Sequence, residues 1–510
     1  MNYLDAIITR ALIGTARDAG ALPAAPELLA GVLTDTSASG ESAVLRGAAA
    51  FCLIERAGRL PVKMQNALSA PSDDARPICS KKAGTLLRQI LDSSRPMLLV
   101  EWLDACCGAG QRPPPALIAR LLDAATRQIE HRTALRAPTV KAAGPLGFWL
   151  CRLNPDWSTL ANEDLSVNVE EVWQTGAKAA RTAALHRLRA ADPAAGLMLL
   201  QTTFASDSAA DRAAFMGILA TGLGAADEVF LESALADRSK EVRAAAAKLL
   251  AQLPGSALVR RMIARVEPLV QFTPGEPKKL LRAGKPAKLT FELPAACDEP
   301  MKSDGIEARP TPGAGYGERQ FWLLQMLSLI GPSYWSKKFG TAPGHLLEAV
   351  PKEDAEVIHL AWRQAAETTG DADWVEAFIR LRSSDDRGYL TENLLKLLPT
   401  QRRHDVVYDL LADRTLSSAA VLTLMSAGPL DARSARVVMK WVTDRPRGPA
   451  TADYTLTPLL AALAMGAPPA LLQEFEVAWP VEGFPAARGE HEKFFATMSL
   501  RQNIQKEFPR

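Results

Sequence analysis

Across 510 residues, 59 Lys and Arg face 57 Asp and Glu, leaving a formal charge of +2, a balance that argues against an obligate polyanion binder and against a long charged tail. With 48% hydrophobic and 23% charged residues the composition is that of a globular chain, long enough for about three ordinary domains. Six Cys without short paired spacings exclude a disulfide scaffold and a zinc ribbon. The first segment, MNYLDAIITRALIGTARDAG, reads as an amphipathic helix, because Asp5 and Arg10 interrupt its only apolar stretch and no cleavage-site pattern follows. Nowhere do about 18 apolar residues run together, so no membrane span is expected. The isolated thiols, the vicinal Cys106-Cys107 among them, point to a cytoplasmic protein.

Further along, short helices are punctuated by Pro, Gly and Asp, and the Ala, Leu and Arg content with 6% aromatics favours helix over sheet. A basic amphipathic helix is expected over 177–189. Asp192-Pro193 then opens another, Asp as cap and Pro at the first helical position, running towards Phe204. Segment 227–235 offers Val229, Phe230, Ala234 and Leu235 for burial. After the turn Ala236-Asp237-Arg238 comes the clearest helix, 239–253. Its apolar Val242, Ala246, Leu249, Leu250 and Leu253 form one stripe of a 3.6-residue period, and Pro254-Gly255 ends it. So short a turn forces antiparallel neighbours.

From 267 to 317 eight prolines forbid long helices. Within that stretch Lys288 to Leu293 alternates with period two, placing Leu289, Phe291 and Leu293 on one face of a short strand. Helix resumes at Glu318, with an apolar core helix across 321–330 and further helices expected over 354–367, 373–381, 390–398, 405–411 and 432–442. The expected fold is therefore all-α, an α-solenoid in two halves (1–266 and 318–510) with a small irregular β insertion at 267–317.

The run Leu235-Ala236-Asp237-Arg238-Ser239-Lys240-Glu241-Val242-Arg243 with AAAAKLLAQL after it resembles the second helix of a HEAT-type repeat. That resemblance implies Asp237 as a helix cap, Val242, Leu249 and Leu250 as inter-helix core, and Arg243 reaching an acidic or carbonyl group on a neighbouring repeat. At larger scale, TRALIGTAR at 9–17, LNPDW at 153–157 and FLESALADRSKEVRAAAAKLLAQLPGSALVRRM at 230–262 resemble a bacterial family carrying domain of unknown function 5691. The likeness extends through EARPTPGAGYGER at 307–319. It implies gene neighbours that include a MoxR-type AAA+ ATPase, a von Willebrand A-domain protein and a SWIM zinc-finger protein, hence a partner-binding role.

Candidate chemistry is sparse. Gly313-Ala314-Gly315-Tyr316-Gly317 precedes a helix start, yet it lacks the spacing and Lys of a phosphate loop, and Glu318 puts negative charge where an anion would sit. It reads as a linker. Lys278, Lys279, Arg282, Lys285 and Lys288 form the strongest charge imbalance, either a binding face for an acidic partner or a solvated strand edge. Trp335, between Pro332 and Lys337-Lys338, is expected in a polar loop, exposed as a partner anchor or tucked beneath the loop. The other tryptophans Trp102, Trp149, Trp157, Trp173, Trp322, Trp362, Trp374 and Trp441 sit at helical packing positions. The six His are scattered and read as surface or capping residues, and the pairs Asp73-Asp74 and Asp385-Asp386 sit in turns. No metal, cofactor or catalytic set is indicated. The expected function is a non-enzymatic scaffold or adaptor for a protein partner, with the AAA+ ATPase or von Willebrand A-domain protein implied by resemblance. One alternative is a nucleic-acid-binding protein, or a base-excising enzyme on a HEAT-like array, whose basic concave face would draw on the Lys278–Lys288 segment with Arg260, Arg261, Arg402 and Arg403. A third reading is an unrecognised enzyme with its site in the insertion.

Overall fold

A computed structural model of the chain describes residues 3–18, 40–58, 71–93, 95–127, 132–161, 169–275, 285–313, 315–381, 389–412, 416–444, 456–479 and 488–509. The fold is mainly α, with one two-stranded antiparallel sheet. By packing, the chain forms two units, 1–71 and 72–510. No helix among the described residues is long and apolar enough to cross a membrane.

In the first unit the helices Tyr3–Ile13 and Gly40–Gly58 pack through Tyr3 and Ile7 against Val44 and Ala50. Gly47 permits this approach, since a Cβ there would lie 2.8 Å from the Tyr3 hydroxyl and 2.9 Å from Ile7.

The second unit opens with helices Lys81–Asp92, Pro96–Gly108, Pro115–Arg127 and Arg132–Leu153. The last is kinked at Gly144 (φ +56°). There the Asp74–Arg76 pair (2.7 Å) packs so closely that a Cβ would lie 2.4 Å from the Arg76 guanidinium. No regular turn forms at Asp73-Asp74, but Asp74 makes a local bond of the expected kind, accepting from the Arg76 N–H at 3.1 Å, and the Arg76 guanidinium holds its carboxyl below the usual range. Trp102, Leu103, Leu121 and Leu122 lie in a core that Leu500, Ile504 and Phe508 of the Arg488–Glu507 segment and its end complete. Trp102 meets Phe508 edge-on at 5.4 Å. Burial pushes the Cys107 thiol up and the Cys151 thiol to about 11, so both remain protonated near neutral pH.

A second core runs from Trp173 through the β-hairpin to Met498, across both 267 and 317. Lys178–Ala191 and Pro193–Thr203 form the first helix pair. Asp192 caps the latter, its carboxylate accepting from the Ala195 N–H at 3.0 Å with Pro193 at the first position. Gly196 lets the two helices touch, since a Cβ would fall 2.5 Å from the Arg189 side chain. Ala209–Ile218, Glu228–Ala234 and Lys240–Gln252 follow. Val242, Ala246, Leu249 and Leu250 are buried as the periodicity predicts, and Leu253 is half-buried. Val229 corrects the expectation: it is 81% exposed, whereas Leu231, Ala234 and Leu235 are buried. Two helical steps of about 100° each turn Val229 to the opposite side from Leu231.

The strand expected from the alternation is Lys288–Phe291, paired with Val270–Thr273 in the register Val270 to Phe291 and Thr273 to Lys288. Leu289 is buried and its N–H donates to the Ala349 carbonyl at 2.9 Å, tying the hairpin to the helices after it. Those helices, Glu318–Ser328, Ala355–Thr369, Ala372–Leu381, Tyr389–Leu397, Thr400–Leu411 and Ala432–Thr443, lie at or within a few residues of the predicted spans. Trp102, Trp173, Trp362 and Trp374 are fully buried and Trp322 nearly so; Trp149, Trp157 and Trp441 are half-buried.

Candidate functional site

Successive helix pairs of the second unit are stapled by arginines. Arg181, on Lys178–Ala191, donates to both carboxylate oxygens of Asp207 at 2.8 and 2.9 Å, 26 residues on, and lies over the rings of Trp173 and Phe215. Arg212, on Ala209–Ile218, repeats the contact 25 residues on: its Nη2 and Nε donate to Asp237 at 2.8 and 3.0 Å. Its Nη1 turns back to the carbonyl of Asp207, in the turn before its own helix, at 2.8 Å. Each fork is bidentate, the stronger and more directional form of such a pair.

Arg243 occupies the next position. Its Nη1 turns back to the carbonyls of Asp237 and Arg238 at 2.9 and 3.2 Å, just as Arg212 turns back to Asp207. The neighbouring-repeat contact implied by the HEAT resemblance is therefore made by Arg181 and Arg212, while Arg243 reaches carbonyls of its own turn. No carboxylate among the described residues pairs with Arg243. Twenty-five residues further on lies Pro268, in the one-turn helix Glu267–Leu269 that feeds the first strand, and Glu267 is itself paired with Lys338.

Beside Arg243 opens a groove of about 630 Å³, walled on one side by Leu235, Asp237 and Lys240 and on the other by Lys302, Gly305, Ile306 and Glu307. The second wall is held by Asp304, which is buried and paired with Arg261 and Arg265 at 2.7 and 2.6 Å. Met301 and Ile306 anchor it in the core. Lys240 and Glu307 bridge at 2.7 Å and Lys302 pairs with Glu299 at 2.6 Å. Asp237 does not cap the helix as expected. Its Oδ1 accepts from the Ser239 N–H at 2.8 Å and the carboxylate is filled by Arg212. Ser239 is the cap residue, with its hydroxyl turned to Glu241 at 2.6 Å. Burial alone would raise the Asp237 carboxyl, but the Arg212 guanidinium and the Ser239 N–H outweigh it and hold the group below the ordinary carboxylate range.

The other expected residues fall elsewhere. Lys278, Lys279 and Arg282 lie outside the described residues, as do Asp385 and Asp386. Lys285 and Lys288 are exposed at the hairpin and do not line the groove. Trp335 corrects the expectation of a polar loop. It sits in the helix Ser333–Phe339, fully buried, stacked on Phe339 at 5.9 Å and edge-on to Tyr334 at 5.1 Å. Trp335 and Phe339 share one helical face and turn it inward, leaving Lys337 outside; no surface anchor remains there. Of the arginines invoked for nucleic acid, Arg261 is held by Glu232 and Asp304, and Arg402 by Asp373 and Glu376. The glycine segment before Glu318–Ser328 ends in an internal cap, the Gln320 side chain accepting from the Gly317 N–H at 3.0 Å. His491 is buried and His359 half-buried rather than at the surface, bonded to the carbonyls of Trp479 and Leu347 at 2.8 and 3.1 Å.

Neither the curated proteins nor the solved structures contain a match to this chain. A family model does match, described as a family of unknown function (DUF5691), over residues 6–508. The stapled helix pairs, the hairpin and the groove between them all fall inside that span, and the chain belongs to this family.

Proposed function

We propose that the chain is a non-enzymatic helical scaffold that binds a protein partner, and that the groove between the turn 235–243 and the wall 302–308 is a docking place. The observation that carries this reading is the groove itself. It is open to solvent, lined by charged and apolar groups together, and built at the point where stapled helix pairs give way to the hairpin. The walls are braced by ion pairs, buried Arg212 with Asp237 on one side and buried Asp304 with the half-exposed Arg261 and Arg265 on the other. A preformed surface loses little entropy on binding. The partner classes implied by the family resemblance, a MoxR-type AAA+ ATPase or a von Willebrand A-domain protein, are the first to be tested.

The test places a photo-crosslinking amino acid at Ala236 or Ala308, both exposed on the groove, in the full chain expressed in its native cell. A discrete crosslinked protein partner from both positions, and none from an exposed site such as Val477, is the expected result. Recovery of the uncrosslinked chain alone from both positions would overturn the reading.

A further inference from the structure

Resting on the scaffold reading, we propose that the groove receives an acidic side chain of the partner, an Asp or Glu carboxylate seated on Arg243 as the next rung of the arginine ladder. The two completed rungs define what the site takes. In each, an arginine near the start of one helix reads a planar carboxylate from the turn of the next pair, about 25 residues on. Arg212 divides its donors in a definite way, Nη1 to the backbone of its own turn and Nε with Nη2 to the incoming Asp237. Arg243 has made the first half of this arrangement. The second half lacks its carboxylate because the chain departs into the hairpin instead of supplying another turn. The opening left beside it is the groove.

Counting charges settles the class of ligand. Around the groove, Asp237 is taken by Arg212, Asp304 by Arg261 and Arg265, Lys240 by Glu307, and Lys302 by Glu299. Among the residues that line the groove, that leaves Arg243 as the cation with no ion pair to a carboxylate; exposed Arg238 on the same turn does not line it, and Glu241 acts on Arg243 only through space. A single guanidinium whose Nη1 is taken by its own turn but which holds no carboxylate suits one carboxylate with its two parallel acceptors. It does not suit a phosphate dianion or a nucleic-acid backbone, which call for several free cations. Glu307 lines the same groove and is the internal competitor, held away on Lys240. Leu235 and Ile306 line the groove but are buried in the core, so the apolar contact open to residues flanking the acid comes from exposed Ala236 and Ala308.

The probe is a fluorescent, C-terminally amidated peptide copying residues 233–240, the turn that Arg212 already reads, whose one acid is the Asp, with a second peptide in which that Asp is replaced by Asn. Binding is followed on the full chain by anisotropy. The Asp peptide is expected to bind at least about tenfold more tightly than the Asn peptide. Arg243→Gln should erase that difference, and Arg243→Lys, which keeps the charge and loses the fork, should remove most of it. Glu307→Gln should tighten the Asp peptide. The Lys variant answers the objection that the Gln variant misfolds. Equal binding of the two peptides, a preference that survives Arg243→Lys undiminished, or tighter binding of inorganic phosphate or a single-stranded oligonucleotide would each overturn the proposal. A crosslinked partner together with indifferent peptides would sink this inference and leave the scaffold standing; loss of the crosslink sinks the scaffold.

Discussion

Arg189 shows how much a single side chain holds in this molecule. It is 1% exposed, and its guanidinium meets Asp227 twice, at 2.9 and 3.0 Å, while also donating to the carbonyls of Pro193, Leu219, Thr221 and Gly222. A buried ion pair adds little over apolar packing when intact, but losing one partner strands the other charge. Asp227→Ala should therefore destabilise the second unit by ~3–5 kcal/mol, read as a shift in the urea midpoint; a shift under about 1 kcal/mol would show that solvent reaches Arg189. Two valines make a sharper contrast. Val242→Asp drives a carboxylate into the helix–helix core and should cost more than ~3 kcal/mol, whereas Val229→Asp, on the exposed side, should stay within about 0.5 kcal/mol. Val242 was legible because its stripe spans three turns. Val229 was not, since Val229-Phe230-Leu231 puts three apolar groups in a row within a seven-residue helix and no periodicity says which two face inward.

At the scale of elements, punctuation carried the reading. Asp192-Pro193 and Pro254-Gly255 mark helix ends by local chemistry, and local chemistry is what a sequence displays. One strand of the hairpin was readable for the same reason, through the alternation of Leu289 and Phe291, while its partner Val270–Thr273 carried no such signal. The groove and the ladder beside it were not read from the sequence, although Asp207 and Asp237 precede Arg212 and Arg243 by five and six residues, a faint repeat that is their one local signal. Its opposite wall comes from 302–308, and no local pattern connects the two stretches. Trp335 misled because its Ser and Lys neighbours suggested a loop, while the partner that buries its helix, Phe272 of the hairpin against Phe339 at 5.2 Å, lies far away in the chain. The Ala355–Thr369 helix carries a pH dependence of its own. Burial pulls the His359 imidazole below its ordinary pKa, only partly opposed by its bond to Leu347. As pH falls below about 6.5 the unfolded chain takes up a proton there that the folded chain refuses, so stability is lost until the folded value is reached. His359→Gln should flatten the slope of unfolding free energy between pH 7.5 and 5.5 (about one residue's proton uptake), and an unchanged slope would contradict the assignment.

In the second unit as a whole, the Arg488–Glu507 segment belongs to both cores: Phe494 and Met498 pack with residues 173 onwards, and Leu500, Ile504 and Phe508 with residues 79–160. An open stack of repeats contacts only sequential neighbours; here first and last helices meet. Arg501 is the clamp, donating to Glu101 at 2.7 Å and to the carbonyls of Ala464 and Ala467 at 2.7 and 2.6 Å. Arg501→Ala should cost ~2–4 kcal/mol through those orphaned acceptors, and hydrogen exchange should quicken together in 96–108 and 456–466; acceleration confined to the C-terminal helix would refute the clamp. The same closure sets a delay during synthesis. Arg501 follows Glu101 by 400 residues, so at roughly 5–20 residues per second the ribosome needs about 20–80 s to deliver it. Until then Trp102 lacks the Phe508 ring that meets it edge-on, so this part of the core closes only at the end of synthesis.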